Sequence, residues 1–177
     1  MLNSEDLQTR LSKVKLLALD VDGTLTDGGL YYTDSGEELK KFNVKDGQGI
    51  KLVLQTGIDV AIVSASSSPS TQHRAKKLGI SHVYIGMEDK LTVIQALCDQ
   101  LGIDLMQVAY VGDDVNDLPV MQAIGCPMTV ADAMPQNQEC AFYITKRAGG
   151  DGAVREICDL IILSQLSETG KKNYSDS

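Results

Sequence analysis

The sequence predicts an α/β fold, a parallel β-sheet covered by helices on both faces, with a β-hairpin after the first strand. Two observations predict it. Short apolar runs of strand length alternate with helix-like stretches along almost the whole chain, and that alternation implies right-handed βαβ crossovers. The first run, Val14 to Val21 (VKLLALDV), is nearly continuous in apolar residues, as a strand covered on both sides should be.

Each element follows in order. Leu30–Thr33 and Glu38–Phe42 flank Asp34-Ser35-Gly36, a turn signal, and predict the hairpin. Gly49–Gln55 reads as a helix that stops at Gly57. Val60–Val63 is the next strand. Ser68-Pro69 suits an N-cap followed by proline at the first helical position, opening a helix that ends at Leu78 before Gly79. His82–Ile85 is a strand and Lys90–Leu101 a helix closed by Gly102. Val108–Val111, Met128–Val130 and Phe142–Thr145 are further strands, Leu118–Ile124 and Ala153–Leu163 further helices. The architecture is Rossmann-like, and ligands in such sheets bind beyond the carboxyl ends of the strands. A single domain over 1–166 is expected, followed by a polar tail over 167–177 (SETGKKNYSDS) with the composition of a disordered segment.

Composition narrows the function classes. The 177 residues are 43% hydrophobic and 23% charged, ordinary for a soluble globular protein. The net charge of −8 argues against nucleic acid as a partner, since phosphate neutralisation drives that affinity. No apolar run reaches membrane-span length. Met1–Lys15 reads as a polar, helix-capable start and not as a leader. Cys98, Cys126, Cys140 and Cys158 form no CxxC pair. They fit buried free thiols in a reducing cytoplasm better than a zinc site.

The chemistry stands at two strand ends. Asp20-Val21-Asp22-Gly23-Thr24 closes the first apolar run. Residues two apart on a strand share a side, so both carboxylates can face one site. Acids so close favour a cation between them or a shared proton. Mg²⁺ takes oxygen ligands and keeps waters, leaving room for a substrate phosphate. Alone, such a pair also caps loops. Gly112-Asp113-Asp114-Val115-Asn116-Asp117 is a second acidic cluster after an apolar strand, and a parallel sheet opens both ends on one edge. Asp114 and Asp117 also suit a turn and a helix N-cap before Pro119. Ser64 ends the strand VAIV with a hydroxyl able to donate to phosphate, and Lys90 opens a helix with a point charge. Each alone also reads as a cap or a solvated group.

In this order, DVDGT, Ser64, Lys90 and GDDVND resemble the haloacid dehalogenase superfamily, whose phosphatases carry DxDx(T/V), a Ser or Thr, a Lys and GDDxxD. LTDGGLYYTDSGEELKKFNVKDGQGIKLV, RAKKLGI, DKL, VAYVGDDVNDLPVM and GGDGAVREICDLI further resemble its small capless phosphatases of eight- and nine-carbon sugar acids, over roughly residues 10 to 165. The likeness is strongest to those acting on 3-deoxy-D-manno-octulosonate 8-phosphate (KDO 8-phosphate).

The resemblance implies the following. Asp20 is the nucleophile, forming an aspartyl-phosphate. Asp22 protonates the leaving alcohol, then activates water. Mg²⁺ is held by the Asp20 carboxylate, the Asp22 carbonyl and Asp113. Asp117 stands behind them, orienting Lys90 or a metal-bound water, while Ser64 and Lys90 hold the phosphoryl group. There is no cap domain, since no insert of domain size follows the first motif or separates Ser64 from Lys90. A homotetramer built around the Leu30–Phe42 hairpin covers each site instead, and Arg74 and Lys77 bind substrate, from a neighbouring subunit in the family. On the residues alone, Tyr31 and Tyr32 also suit an ordinary half-exposed hairpin, Arg74 and Lys77 a solvated helix face, and Gly149–Gly152 either a flap at a neighbour's site or a plain loop.

The second motif departs from the family. Thr-Gly-Arg is usual where this chain has Ser64-Ala65-Ser66. Arginine at the third place accompanies KDO 8-phosphate enzymes, and glutamate the nine-carbon ones. Ser66 removes a charge-assisted contact of roughly 1.5–3 kcal/mol. A nine-carbon sugar-acid 9-phosphate (KDN or sialic acid type), a broad range of small metabolites, and a regulatory subunit that keeps the fold without turnover are the competing expectations.

Overall fold

The structure, a computed structural model, describes residues 4–175, with side chains described for 6–166. Eight strands and seven α-helices follow in the order α1 (Ser4–Ser12), β1 (Leu16–Leu19), β2 (Tyr31–Tyr32), β3 (Glu38–Leu39), α2 (Val44–Gln55), β4 (Asp59–Ser64), α3 (Pro69–Leu78), β5 (His82–Ile85), α4 (Lys90–Leu101), β6 (Val108–Val111), α5 (Leu118–Ala123), β7 (Cys126–Thr129), α6 (Pro135–Cys140), β8 (Tyr143–Ile144) and α7 (Ala153–Ser175).

Six strands form one sheet in the order β5-β4-β1-β6-β7-β8, every pair parallel, and β2-β3 form a separate antiparallel pair. The expected fold class is thus observed. Strand periodicity divides the core in two. Leu17 and Leu19 of β1 enter a cluster with Ile50 and Val53 of α2 and Val154, Ile157 and Ile161 of α7. Leu16 and Ala18 enter the opposite cluster with Ile94 and Leu97 of α4 and Val120 and Met121 of α5. Alternate side chains of a strand point to opposite faces, so an all-apolar run needs cover on both.

Three element boundaries and one unanticipated helix are the main departures from expectation. α2 begins at Val44, not Gly49, because the Asn43 side chain caps it, accepting from Lys45 N–H at 2.7 Å. Its glycines are packing positions rather than breaks, since a Cβ on Gly49 would meet the Cys158 Cβ of α7 at 3.0 Å. β7 starts at Cys126 and includes Pro127, a residue that strand patterns demote. The short helix α6 was not anticipated in a segment with little apolar periodicity. Finally, α7 stays helical to Ser175, where the sequence reading stops it at Leu163 and leaves a polar tail from 167. The apolar pattern marks where a helix leaves the core, not where its hydrogen-bond ladder ends. Residues 1–3 of the helix-capable start, and 176–177 of the tail, lie outside the described residues.

Candidate active site

Strand order reverses between β1 and β6, as successive strands build outward from β1 on one side and from β6 on the other. Beyond the carboxyl ends at such a switch point a crevice opens. The chain leaves β1 at Asp20 and β6 at Gly112-Asp113, and the Asp20 N–H donates to the Val111 carbonyl at 2.9 Å, locking the two ends together.

Oxygens of Asp20, Asp113 and Asp117 lie within 4.8 Å of one another. The Lys90 ammonium stands among them, 2.7 Å from Asp20 Oδ1 and 2.6 Å from Asp117 Oδ1. Lys90 is the first residue of α4, whose N-cap is Asp89, accepting from Thr92 N–H. The cap fixes the helix start, and the Lys90 side chain then runs inward with 1% exposure.

Asp117 is saturated. Its Oδ1 accepts from Lys90 and from the Tyr110 hydroxyl at 2.6 Å, and its Oδ2 from the backbone N–H groups of Asp113 and Asp114 at 3.0 and 3.3 Å. It orients the cluster rather than offering a free oxygen to a ligand. It does not cap α5 with its side chain, the alternative open in the sequence, whereas Asp114 is a cap, accepting from Val115 N–H at 2.7 Å.

Close backbone approach explains two glycines. Gly23 has φ +82°, and a Cβ there would stand 2.0 Å from Asp113 Oδ2. A Cβ on Gly149 would stand 1.8 Å from the Gly23 carbonyl oxygen. The loop of Gly149–Gly152 therefore lies on the Asp20 loop of its own chain, with Gly150 N–H donating to the Thr24 carbonyl at 3.1 Å and Gly149 N–H to Asp132 at 2.9 Å.

The remaining expected residues divide. Ser64 is buried at the end of β4, beside β1, and its Oγ accepts from Ser66 N–H at 3.2 Å. The Asp22 carboxylate stands apart from the cluster and pairs with Lys40. Arg74 and Lys77 line a separate groove of about 200 Å³ with Lys51 and Val44, and Arg74 donates to the Asn43 carbonyl at 2.9 Å. Among the described residues no ion pair joins either to the acid cluster. Ser66 Oγ is used within its own loop, accepting from Ser68 N–H. Tyr110 and Lys40 were missed by sequence reasoning. The available signals were a lone hydroxyl inside an apolar strand, and a lysine two residues from Glu38 on the same side of a hairpin strand.

Electrostatics show what the cluster lacks. Burial, then the charge of Asp117, pushes the Asp20 carboxyl up to about 7, despite Lys90. Burial, then Asp20, Asp117 and Asp114, pushes Asp113 up to about 8. Burial and Asp117 also raise the Tyr110 phenol. Lys90 itself is raised, the carboxylates outweighing the burial that would lower it. Three carboxylates around one ammonium leave an excess of negative charge that a hard divalent cation at Asp20 and Asp113 would offset.

Residues 87–157 match the haloacid dehalogenase-like hydrolase family. The chain is 46% identical to the 3-deoxy-D-manno-octulosonate 8-phosphate phosphatase of Escherichia coli K12 across 92% of its own length and 86% of that protein's. The crystal structure of the Yersinia pestis phosphatase of that name superposes with a TM-score of 0.89 at 46% identity, covering 91% of this chain and 87% of that one. That of Moraxella catarrhalis, in complex with magnesium, phosphate and KDO, gives 0.91 at 40% identity, covering 97% and 99%.

Proposed function

We infer the function from one premise: this chain belongs to the haloacid dehalogenase-like hydrolases, within their 3-deoxy-D-manno-octulosonate 8-phosphate phosphatases, and it hydrolyses that monoester to KDO and inorganic phosphate. The observation that carries the reading is the Lys90 ammonium held between Asp20 and Asp117, with Asp113 in the same cluster at the switch point of the sheet.

Asp20 serves as nucleophile. Its Oδ attacks phosphorus as the bond to the sugar oxygen breaks, giving an aspartyl-phosphate and the alcohol. Asp22 gives its proton to the departing oxygen. In the second step Asp22 takes a proton from water, which attacks phosphorus and frees Asp20 and inorganic phosphate. Splitting hydrolysis in this way is covalent catalysis. Lys90, fixed by Asp117, and the Ser64 hydroxyl hold the phosphoryl oxygens, and such positioning with electrostatic stabilisation does most of the work of phosphoryl transfer. The raised carboxyls of Asp20 and Asp113 and the crowding at Gly23 fit a small oxygen-seeking cation. Mg²⁺ would be held by Asp20, Asp113 and the Asp22 carbonyl, offsetting repulsion between the nucleophile and the phosphate dianion.

The assembly is a homotetramer in this reading, with Arg74 and Lys77 serving a neighbour's substrate. Its support is the exposed apolar hairpin, with Leu30 57% and Tyr32 61% exposed, and the lining of the Arg74–Lys77 groove, which includes none of Asp20, Lys90, Asp113 and Asp117. A cytoplasmic location rests on four free thiols, three of them buried.

Phosphate release with Mg²⁺ from KDO 8-phosphate, from a nine-carbon sugar-acid 9-phosphate and from p-nitrophenyl phosphate, ranked by kcat/KM, tests the proposal. KDO 8-phosphate is expected first. Preference for the nine-carbon acid would move the substrate, and preference for an unrelated monoester would remove the sugar-acid reading.

A further inference from the structure

We propose that Lys40 is a positioning residue for Asp22, fixing from the hairpin the carboxyl that handles the leaving-group proton. The inference rests on the assignment of Asp22 as proton donor and acceptor made above.

Lys40 follows β3 in the exposed hairpin, and its neighbour Leu39 is 53% exposed. Its own side chain is 1% exposed, turned inward onto Asp22 Oδ1 and onto Glu38 Oε1 at 3.0 Å. Glu38 also accepts from the Tyr32 hydroxyl at 3.3 Å. A linked set, Tyr32–Glu38–Lys40–Asp22, thus runs from the outer surface of the hairpin to the loop carrying the nucleophile.

Burying an ammonium is costly unless charged partners meet it. Folding alone gives no reason to bury this one, because a hairpin lysine is free to extend into water with its stem on the surface. Nor does Asp22 need a buried counter-charge, since its side chain is 35% exposed. The arrangement has a chemical use. Asp22 must keep its place while it loses a proton in one step and gains one in the next. Lys40 donates to Oδ1 whether or not Oδ2 carries the proton, so Oδ2 is the atom that faces the leaving oxygen in the first step and the attacking water in the second. Placing a reacting group this way is worth more than its direct contact suggests.

Leaving groups separate this role from a structural one. A sugar alcohol needs its proton in the transition state, whereas p-nitrophenolate departs without one. kcat/KM covers the step in which the leaving group departs, so in a variant that sediments like the unmodified protein the ratio of the two substrates' kcat/KM reads leaving-group protonation, and in one that does not the ratio counts against the proposal. With the full-length protein and Mg²⁺, Lys40→Met should lower kcat/KM for KDO 8-phosphate by about tenfold or more, a fraction of a full acid–base contribution. For p-nitrophenyl phosphate the loss should be much smaller. Lys40→Arg should recover most of the ratio, and Asp22→Asn should show the same asymmetry, larger. Equal loss on both substrates in Lys40→Met, beside an asymmetric Asp22→Asn, overturns the role of Lys40 and leaves Asp22 standing. Equal loss in Asp22→Asn overturns the assignment of Asp22 and this proposal with it. Should Lys40→Met not fold, Glu38→Gln, which weakens one anchor of Lys40 at a side chain 23% exposed, should shift the ratio a few-fold in the same direction, and an unmoved ratio refutes the proposal.

Discussion

The acid cluster and the hairpin are both reached from the carboxyl end of β1, the one through Asp20 and the other through the loop that follows it, yet they are finished differently. In the cluster, every oxygen of Asp117 has a partner from the same chain, and Lys90 meets two carboxylates. The hairpin strands are two residues each, and Tyr31 and Leu39, directly opposite one another, are both about half exposed. A two-stranded hairpin is marginal by itself, and adjacent exposed apolar side chains mark a contact surface. The difference suggests a division of labour. In the proposed reading the bond-breaking apparatus is complete in one chain, while cover over the substrate is left to association. Lys40 joins the two regions.

The sharpest break in that comparison is Asp20→Asn. If the chemistry resides in one chain, turnover should fall on the order of 10³-fold or more. Asparagine relieves a buried carboxyl already held near 7, so the melting temperature should be equal or higher. Appreciable turnover in a correctly folded variant would take the nucleophile away from Asp20. A smaller effect tests the other side. Tyr31→Lys combined with Leu39→Glu puts opposite charges across the hairpin, which preserves the strand pair but ends apolar association. Sedimentation should show loss of the proposed tetramer. Activity on the sugar-acid phosphate should drop about tenfold, the equivalent of ~1.4 kcal/mol, with a nearly unchanged rate on p-nitrophenyl phosphate. An intact tetramer would show that the hairpin is not the contact.

The same two regions explain what could be read before the structure. Asp20, Ser64 and Asp113 were legible because each stands at the end of an apolar run, and a parallel sheet brings such ends to one edge. Lys90 was legible as a lysine opening a helix, and through its place in the ordered set DVDGT, Ser64, Lys90 and GDDVND. Asp117 was left between helix cap and orienting group, since spacing alone does not say which N–H groups its oxygens meet. Tyr110 was invisible because its hydroxyl acts across the turn onto Asp117, and a strand pattern shows only that it is buried. Lys40 was invisible because its partner lies 18 residues away and is reached only by the inward fold of the hairpin. The start of α2 was misplaced for a packing reason. Gly49 was read as the first residue of the helix, yet it is an interior position where a Cβ would meet the Cys158 Cβ of α7 at 3.0 Å.

Charge in the cluster predicts a pH dependence of stability. Asp20 and Asp113 hold their protons in the folded chain up to about 7 and about 8, against the ordinary carboxyl value of 3.8. The folded state therefore binds more protons than the unfolded one across that window. The contribution is fully present below about pH 4 and lost as pH rises through 7 and 8. In EDTA the part of the melting temperature due to these groups should fall across this range by several degrees. Mg²⁺ competes with those protons, so its stabilising effect should grow with pH over the same window. A Mg²⁺ shift that is equal at low and high pH would place the cation elsewhere.

The smallest expected effect sharpens the account of the cluster itself. Tyr110→Phe removes one of two donors from Asp117 Oδ1 while Lys90 and both backbone N–H groups remain. A hydrogen bond to a charged group contributes about 1.5–3 kcal/mol, and the loss should lie near the lower end because the carboxylate stays partnered. The melting temperature should drop by a few degrees and kcat by only a few-fold, with KM unchanged, since Tyr110 acts on the residue that orients Lys90 and not on substrate. If Tyr110→Phe proves as damaging to kcat as removal of the Lys90 ammonium in Lys90→Met, the hydroxyl is the principal anchor of Asp117, and the backbone N–H groups of Asp113 and Asp114 contribute little to holding it.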